Sequence, residues 1–251
     1  MILRTAAPND GIVVVTLANP PMNTMGSPLL EDLASTFDRL AGDPQVRAVV
    51  LTGEGAAFSA GLDLKTVPDL DMAGQRRLIA ALNDSFGTLY AFPKPLVAAV
   101  NGHAIAGGMI VALAADWRVV ADVKLQASLA EIRVGVTFPV AALEIARSEL
   151  APTAARRLIL LGENLDAREA VAQHVFDECV PAADLMTHAL AAARRHAALP
   201  PNAFATTKRE LRSAALAHIA DARQGRDARY SLWLGEEMKL AARAALVGRA
   251  A

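Results

Sequence analysis

Short apolar runs separated by helical stretches constrain the fold of this chain more than any other feature of its sequence. Residues 12–18, 47–52 and 96–100 consist mainly of valine, leucine and alanine, and glycine or asparagine follows each run. Such runs are typical of strands that are buried on both faces. Because a helical stretch, residues 72–91, separates the last two runs, the sequence predicts an α/β fold with at least partly parallel strands.

Helices are predicted over most of the remaining chain. Ser27 is predicted to be the N-cap of the first helix, with Pro28 at the first helical position. Val119 and Val120 are predicted to lie in a further strand, whereas no segment beyond Pro200 resembles a strand. The later helices are predicted over residues 107–115, 138–148, 151–162, 166–173, 183–198, 202–219 and 227–247.

Composition and charge argue against several classes of function. The 251 residues include 25 Lys and Arg against 26 Asp and Glu, so no broad electrostatic field favours binding to nucleic acid. Cys179 is the only cysteine, which excludes an internal disulfide, and the five histidines are dispersed, so we expect no metal site. No secretory signal is apparent at the N-terminus, and no apolar run approaches the ~20 residues of a membrane span. We expect a cytoplasmic protein that binds neither nucleic acid nor membranes.

Two segments join a strand-like run to a helix-like run through small residues. The first is residues 57–65, AFSAGLDLK, and the second is residues 101–108, NGHAIAGG. The backbone N–H groups at the start of a helix face outward, and the positive end of the helix dipole favours negative charge there. Two such junctions directed at one point would form an oxyanion hole, in which fixed donors stabilise charge that develops during a reaction.

In this order and spacing, the two segments resemble the two motifs of the crotonase (enoyl-CoA hydratase/isomerase) superfamily. The resemblance implies a crotonase-like spiral of βββα-type turns over residues 1–195, which would hold an acyl-CoA site. It also implies a C-terminal α-helical trimerisation region over residues 196–251, and hence a homotrimer or a dimer of trimers. The substrate would be an acyl-CoA thioester. Because coenzyme A is part of that substrate, no separate cofactor is expected.

The same resemblance assigns candidate site residues. The backbone N–H groups of Leu62 and Gly107 match the two oxyanion donors of the superfamily. Other matching positions are candidates for binding substrate: Ala60 and Ser59 at the adenine-binding edge, Lys65 at the coenzyme A phosphates, Asn23 at the coenzyme A groove, His103 in the wall of the acyl pocket, and Gly108 and Ile110 in the second motif. Turn chemistry alone also explains Asn23, and Lys65 can equally be an exposed, solvated side chain.

Glu131 is the candidate acid–base residue. It lies in the segment 129–136, LAEIRVGV, where the apolar neighbours Leu129 and Ile132 would raise the pKa of a carboxyl group toward the working pH. The superfamily places its catalytic glutamate in a similar segment, and Glu131 aligns with that position.

Ile110 marks a departure from the hydratases of the superfamily. Those enzymes carry a second glutamate three residues after the oxyanion glycine, and the two carboxylates hold and activate water. Isoleucine can neither accept a proton nor orient water. A single glutamate suits the Δ3-Δ2 isomerisation of an enoyl-CoA, because one carboxylate can remove a proton next to the thioester carbonyl and return it two carbons further along. An enoyl-CoA isomerase is therefore the leading hypothesis.

Two other functions remain open from the sequence. The first is a hydratase in which another acid replaces the missing glutamate, and Glu144, thirteen residues after Glu131, is the candidate. The second is a non-catalytic relative that binds acyl-CoA or serves as an interaction subunit.

Overall fold

The predicted buried strands form the middle of a six-stranded sheet. The computed structural model describes residues 2–6, 10–63, 66–226, 240 and 244. Its strands are β1 (Leu3–Ala6), β2 (Ile12–Leu17), β3 (Ala48–Gly53), β4 (Ala57–Ser59), β5 (Leu96–Val100), β6 (His103–Ile105), β7 (Trp117–Ala121), β8 (Ala127–Ser128), β9 (Asn164–Leu165) and β10 (Glu178–Val180). The large sheet has the order β1-β2-β3-β5-β7-β10, in which β1 is antiparallel to β2 and the other neighbours are parallel. The predicted α/β class and the parallel pairing are confirmed.

A second sheet of four short strands lies beside the predicted junctions. Its order is β4-β6-β8-β9, with β4, β6 and β8 parallel and β9 antiparallel to β8. The strands β4 and β6 follow β3 and β5 of the large sheet after a few residues. Since β4 and β6 are parallel neighbours, the chain leaves both at the same edge of the small sheet.

The helices of the described residues are α1 (Ser27–Gly42), α2 (Met72–Tyr90), α3 (Gly107–Leu113), α4 (Val140–Glu149), α5 (Pro152–Ala155), α6 (Ala167–Ala172), α7 (Leu185–Ala197), α8 (Pro201–Leu211) and α9 (Ser213–Asp221). Most agree with the predicted helices to within a few residues. The predicted helix 151–162 begins as α5 and continues as the π-helix Arg156–Leu160. Almost all of the predicted helix 227–247 lies outside the described residues.

Two local predictions about helices are wrong. The N-cap of α1 is Gly26 rather than Ser27, because Gly26 has the extended backbone of a cap and its carbonyl accepts a hydrogen bond from the N–H of Leu30 at 3.1 Å. Residues 202–219 do not form one helix, since the chain leaves helical geometry at Arg212 between α8 and α9. A buried position of the Arg212 side chain accompanies this break.

Both faces of the large sheet are buried at its central strands β3 and β5, as the continuous apolar runs predict. Along β3, Val49 and Leu51 pack into the larger core with α1 and α2, whereas Ala48 and Val50 pack on the opposite face. That opposite face is covered by small residues of α7, including Ala189. Successive side chains of a strand point to opposite faces, so a strand between two helical layers is apolar at every position.

The first helices of the predicted C-terminal region pack on the α/β core. Helix α9 contacts α2 and α4. At Gly87 of α2 the approach is close, because a methyl group there would lie 2.7 Å from the Cγ2 atom of Ile219. The division between residues 195 and 196 and the trimerisation role of the last region stay predictions. Among the helices of the described residues, none is long and apolar enough to cross a membrane.

Candidate active site

The two predicted junctions meet in the structure. Gly61 follows β4 with a φ of +72°, in the left-handed region that favours glycine. A methyl group at Gly61 would lie 2.7 Å from the carbonyl oxygen of Ile105 and 3.0 Å from the backbone nitrogen of Gly107. The backbone of the first junction therefore lies directly against the backbone of the second, with no room for a side chain between them.

The second junction starts a short helix with an unusual backbone conformation. Ala106, the N-cap of α3, has a φ of +51° and a ψ of −121°, a region that residues with a side chain rarely adopt. Its N–H donates to the carbonyl of Ser128 at 2.8 Å, which fixes the turn to β8. Gly107 then begins α3, and the first N–H groups of a helix have no acceptor within the helix.

The amides of Leu62 and Gly107 are free to bind an anion. On the first junction, the carbonyl of Gly61 accepts a hydrogen bond from the N–H of Met25 at 2.8 Å, which holds this turn against the loop before α1. Among the described residues, no hydrogen bond is formed by the N–H of Leu62 or of Gly107. Two unoccupied backbone donors at converging turns are the arrangement that an oxyanion hole requires.

One pocket connects these two amides with Glu131. It encloses about 640 Å³, including the part that is open to solvent. Among the described residues that line it, Glu131 alone has an ionisable side chain. The lining residues are Ala60, Leu62, Leu82, Phe86, Ile105, Ala106, Gly107, Ala130, Glu131, Val134, Val136, Pro139 and Ala142. Thus the structure brings the three predicted catalytic positions, Leu62, Gly107 and Glu131, to one apolar cavity.

Glu131 is a buried carboxyl group that no charged side chain compensates within the part of the chain that the structure describes. It begins a single 3-10 turn after β8, which Gly135 ends in the left-handed conformation. Only 7% of Glu131 is exposed, and its Oε2 atom has no hydrogen-bond partner among the described residues. Burial raises the pKa of Glu131 to about 8. A carboxyl group that titrates near neutral pH can both accept and donate a proton during a reaction.

Neither Ile110, at the position of the second glutamate of the hydratases, nor Glu144, the candidate replacement, supplies a second acid to this pocket. Ile110 lies within α3, is fully buried in the core and is not part of the pocket lining. Glu144 of α4 is bound elsewhere: its Oε2 atom lies 2.6 Å from Arg147 and 3.2 Å from Nδ1 of His218. The geometry therefore does not support Glu144 as the replacement acid of a hydratase.

Asn23 and Ser59 hold the first junction together. Both are fully buried. The Nδ2 of Asn23 donates to the carbonyls of Ala57 at 2.8 Å and Glu54 at 3.0 Å, and the Oγ of Ser59 donates to the carbonyl of Asn23 at 2.7 Å. The polar atoms of both side chains are thus used by buried backbone groups, and their predicted roles at the coenzyme A groove and the adenine-binding edge stay predictions.

Two residues of the second motif, Gly108 and His103, are not among the lining residues of this pocket, and their roles in binding substrate stay predictions. A methyl group at Gly108 would lie 2.1 Å from the carbonyl oxygen of Ser59, so this glycine allows α3 to pack on β4 and does not line the pocket. His103 lies on β6, where its Nδ1 accepts from the N–H of Gln126 at 3.1 Å.

The remaining candidates divide between a lining residue and a residue outside the described ranges. Ala60 lines the pocket, but its N–H already donates to the carbonyl of Met22 at 2.9 Å. Its contact with adenine stays a prediction. Lys65 lies outside the described residues, so its contact with coenzyme A phosphates also stays a prediction.

Sequence reasoning missed the walls that α2 and α4 contribute. Leu82 and Phe86, one turn apart on α2, form one wall, and Pro139 and Ala142 at the start of α4 form another. The Oδ1 of Asn83 accepts from the N–H of Ala141 at 2.9 Å, which joins the two helices beside the pocket. The spacing of residues 82 and 86 indicates a buried helix face, but nothing in the sequence says that this face meets a cavity.

Comparison with known proteins agrees with this geometry. A human protein, enoyl-CoA delta isomerase 1, mitochondrial, is 30% identical over 215 residues, which are 85% of this chain and 71% of that protein. A Thermus thermophilus protein with an enoyl-CoA hydratase name is 36% identical over 203 residues, 79% of each chain. The crystal structure of human mitochondrial delta3-delta2-enoyl-CoA isomerase superposes with a TM-score of 0.93 at 26% identity, covering 99% of this chain and 98% of that one.

The fold is that of a crotonase-fold enzyme. The family model described as Enoyl-CoA hydratase/isomerase matches residues 7–233. The chain therefore belongs to the enoyl-CoA hydratase/isomerase family.

Proposed function

We propose that this enzyme is an enoyl-CoA isomerase that moves a double bond between the Δ3 and Δ2 positions. The observation that carries the proposal is that Glu131 is the one ionisable side chain among the described residues of the pocket. Double-bond migration needs one group that removes a proton and returns it. The addition of water needs, in addition, a group that holds and activates the water molecule.

The reaction follows from three positions. The thioester oxygen accepts hydrogen bonds from the N–H groups of Leu62 and Gly107, and ionised Glu131 removes a proton from C2 of a 3-enoyl thioester. The electron pair of the broken C–H bond forms a dienolate, whose charge rests on the thioester oxygen. The carboxyl group of Glu131 then donates the same proton to C4, so that a 2-enoyl thioester forms and Glu131 is ionised again. No other reactant is consumed.

The apolar pocket supports this assignment in a second way. Its walls, from Leu82 and Phe86 to Val136, provide no hydrogen bonds that would hold water beside the double bond. They instead provide the environment that an acyl chain prefers. The same low polarity strengthens the electrostatic effect of the two amides on a developing negative charge.

The wider assignment follows the family. The substrate is an acyl-CoA thioester, coenzyme A is part of that substrate, and no separate cofactor takes part. We propose a homotrimer or a dimer of trimers in the cytoplasm, and light scattering distinguishes these assemblies from a 26.4 kDa monomer. The mitochondrial name of one human relative makes cell fractionation the matching test of location.

The experiment that tests the reaction is product identification from both substrate isomers. Purified enzyme is incubated separately with 2-enoyl and 3-enoyl thioesters of the same chain length, and the products are identified by mass spectrometry and NMR. We expect interconversion of the two isomers with little 3-hydroxyacyl product.

Glu131→Gln is the matched variant, because it preserves the size of the side chain and removes the base. Its isomerisation rate should fall by about 10²–10⁴-fold, while thioester binding changes little. Rapid hydration that survives Glu131→Gln would instead identify a hydratase with its acid elsewhere. Unchanged isomerisation by Glu131→Gln would remove Glu131 from the mechanism.

A further inference from the structure

One side chain from the C-terminal helical region joins the ends of two helices that build the pocket. Arg212 lies between α8 and α9 and is only 6% exposed. Its Nη1 atom donates to the carbonyl of Tyr90, the last residue of α2, at 3.0 Å. The same atom donates to the carbonyl of Ala114, directly after α3, at 3.3 Å. A cation at this place satisfies carbonyls that the helices leave without partners and complements their dipoles.

The guanidinium group of Arg212 is itself fixed. Its Nη2 atom lies 3.1 Å from Oδ1 of Asp116 and 3.4 Å from Oε1 of Glu149, and the group stacks 4.1 Å above the ring centre of Tyr90. Arg118 adds a second cation, whose Nη2 donates to the carbonyl of Leu113 at 3.1 Å. These contacts leave Arg212 little freedom to move away from the two helix ends.

Helix α3 is short enough for its two ends to move together. It has seven residues, which span about 10 Å, and Gly107 with its free N–H is the first of them. At that end, the N–H of Ala106 is held by the carbonyl of Ser128. A rigid helix pinned at both ends fixes the direction of its first N–H group, and a shift of its last turn displaces that group.

Helix α2 is held in the same way. Phe86, which α2 contributes to the pocket wall, lies beside Gly107, because a methyl group at Gly107 would lie 3.4 Å from the Cζ atom of Phe86. One residue later, Gly87 packs against Ile219 of α9. The C-terminal helices thus support α2 both at Gly87 and, through Arg212, at its last carbonyl.

We propose that Arg212 is a positioning residue of the oxyanion site. By joining the ends of α2 and α3, it keeps the Gly107 N–H directed at the thioester oxygen. This role rests on the proposed function, in which the amides of Leu62 and Gly107 bind that oxygen.

The test compares Arg212→Met with Lys208→Met. Lys208, on α8, is a cation as buried as Arg212 and pairs with the same carboxylate, since its Nζ atom lies 2.7 Å from Asp116. It donates to the carbonyl of Lys94 and reaches neither α2 nor α3. Both variants are assayed for isomerisation at a temperature where circular dichroism shows each to be folded. Arg212→Met should lower kcat by about tenfold or more with a KM within about twofold, because misplaced groups slow the chemical step. Lys208→Met should keep kcat near that of the wild type.

Infrared spectra provide a readout that loss of stability does not change. A saturated acyl-CoA labelled with ¹³C at the thioester carbonyl is bound to each protein, and the shift of the carbonyl stretch to lower frequency reports hydrogen bonding by the two amides. We expect a clear shift in the wild type and in Lys208→Met, and a smaller shift in Arg212→Met. Arg212→Lys keeps the charge, but its single nitrogen must serve both the two carbonyls and Asp116, so it should lie between these limits. It takes the place of Arg212→Met if that variant does not fold.

The results distinguish failure of the positioning role from failure of the proposed function. Equal kcat values and equal carbonyl shifts for the Arg212 and Lys208 variants would overturn the positioning role, while the isomerase assignment would stand. A wild-type protein with no carbonyl shift and no isomerisation would overturn the proposed function and the role of Arg212 with it.

Discussion

Two buried regions differ in whether their charged groups are paired. One is the pocket around Glu131, and the other is a charged cluster beside α8 that consists of Asp116, Arg118, Glu149, Lys208 and Arg212. In the cluster, Asp116 lies 2.7 Å from Lys208 and 3.1 Å from Arg212, and Glu149 pairs with Arg118. In the pocket, the carboxyl group of Glu131 has no charged partner among the described residues. Charges of the first kind hold elements together. A carboxyl group of the second kind destabilises the fold when it is ionised, which is typical of groups at functional sites.

The comparison also distinguishes polar residues that hold a motif together from polar residues that are available for a reaction. Asn23 and Ser59 are as buried as the cluster residues, and their side chains bond to neighbouring backbone groups. Glu131 differs from Asn23 and Ser59 because it lines the pocket and its buried Oε2 atom has no hydrogen-bond partner among the described residues. An unsatisfied buried polar atom at a cavity is thus a better sign of function in this chain than proximity to a motif.

Removing a partner from the charged cluster should cause the largest loss of stability. Asp116→Ala leaves Lys208 and Arg212 without their shared carboxylate and leaves the N–H of Leu96 without its acceptor. We expect the free energy of unfolding to fall by about 3–5 kcal/mol. Denaturant unfolding followed by circular dichroism measures this change.

The matched control is Asp122→Ala, which breaks an exposed ion pair with Arg168. Exposed pairs contribute little, so this variant should unfold almost as the wild type does. If Asp116→Ala and Asp122→Ala were equally stable, the cluster would not be the structural counterpart of the pocket.

A bulky substitution at Gly107 should lower kcat without altering any charged group. A valine at position 107 places carbon atoms toward Met25 and Phe86, since even a methyl group there would lie 3.2 Å from the sulfur of Met25. The added bulk also lies beside the N–H that faces the substrate oxygen. Gly107→Val should therefore lower kcat by about 10²–10³-fold, the effect of losing one oxyanion donor.

Leu62→Ala is the control for Gly107→Val, because it shortens a lining side chain and keeps the backbone N–H. We expect it to retain much of the wild-type kcat. A large loss of kcat in Leu62→Ala with a mild one in Gly107→Val would mean that side chains rather than amides bind the reacting oxygen.

The pH dependence of stability distinguishes the two regions further. Burial raises the pKa of Glu131 to about 8 in the folded protein, against an ordinary value of 4.5. The folded state therefore binds more protons than the unfolded state between these values, and the stability of the wild type falls as pH rises from about 4.5 to about 8. Glu131→Gln has no such titration, so its advantage over the wild type should grow across this range, by about 1.4 kcal/mol per pH unit in the middle of it.

Thermal unfolding of both proteins between pH 4.5 and 8.5 measures this difference. Parallel stability curves for the wild type and Glu131→Gln would show that Glu131 is already solvated or paired in the folded protein. The pH profile of kcat/KM offers an independent check, since ionised Glu131 is the base and the rate should rise up to about pH 8.

How much could be predicted from the sequence depends on how local the cause was. The strands at residues 12–17 and 96–100 follow from continuous apolar runs, because a strand covered on both faces is apolar at each position. The meeting of Gly61 with Gly107 was not visible in either segment alone, and the resemblance to a known superfamily supplied it. The pocket walls at Leu82 and Ala142 depend on how distant helices pack, which no local pattern specifies. The same limit explains why Arg212 was not identified as part of the site.

The smallest expected effect concerns the strained turn at the second junction. Ala106 holds a φ of +51° with a ψ of −121° at the start of α3. Such a conformation costs a residue with a side chain of order 1–3 kcal/mol, whereas glycine adopts it freely but loses more chain entropy on folding, about 0.4–1 kcal/mol. Ala106→Gly should therefore raise the free energy of unfolding by about 1 kcal/mol. In contrast to Asp116→Ala, this change would stabilise the protein by relieving strain at the site. Chemical denaturation measures the difference in the free energy of unfolding. Isomerisation assays report whether the turn still directs the Gly107 N–H at the substrate oxygen. A destabilised Ala106→Gly variant would show that the methyl group of Ala106 contributes more through packing than its backbone costs through strain.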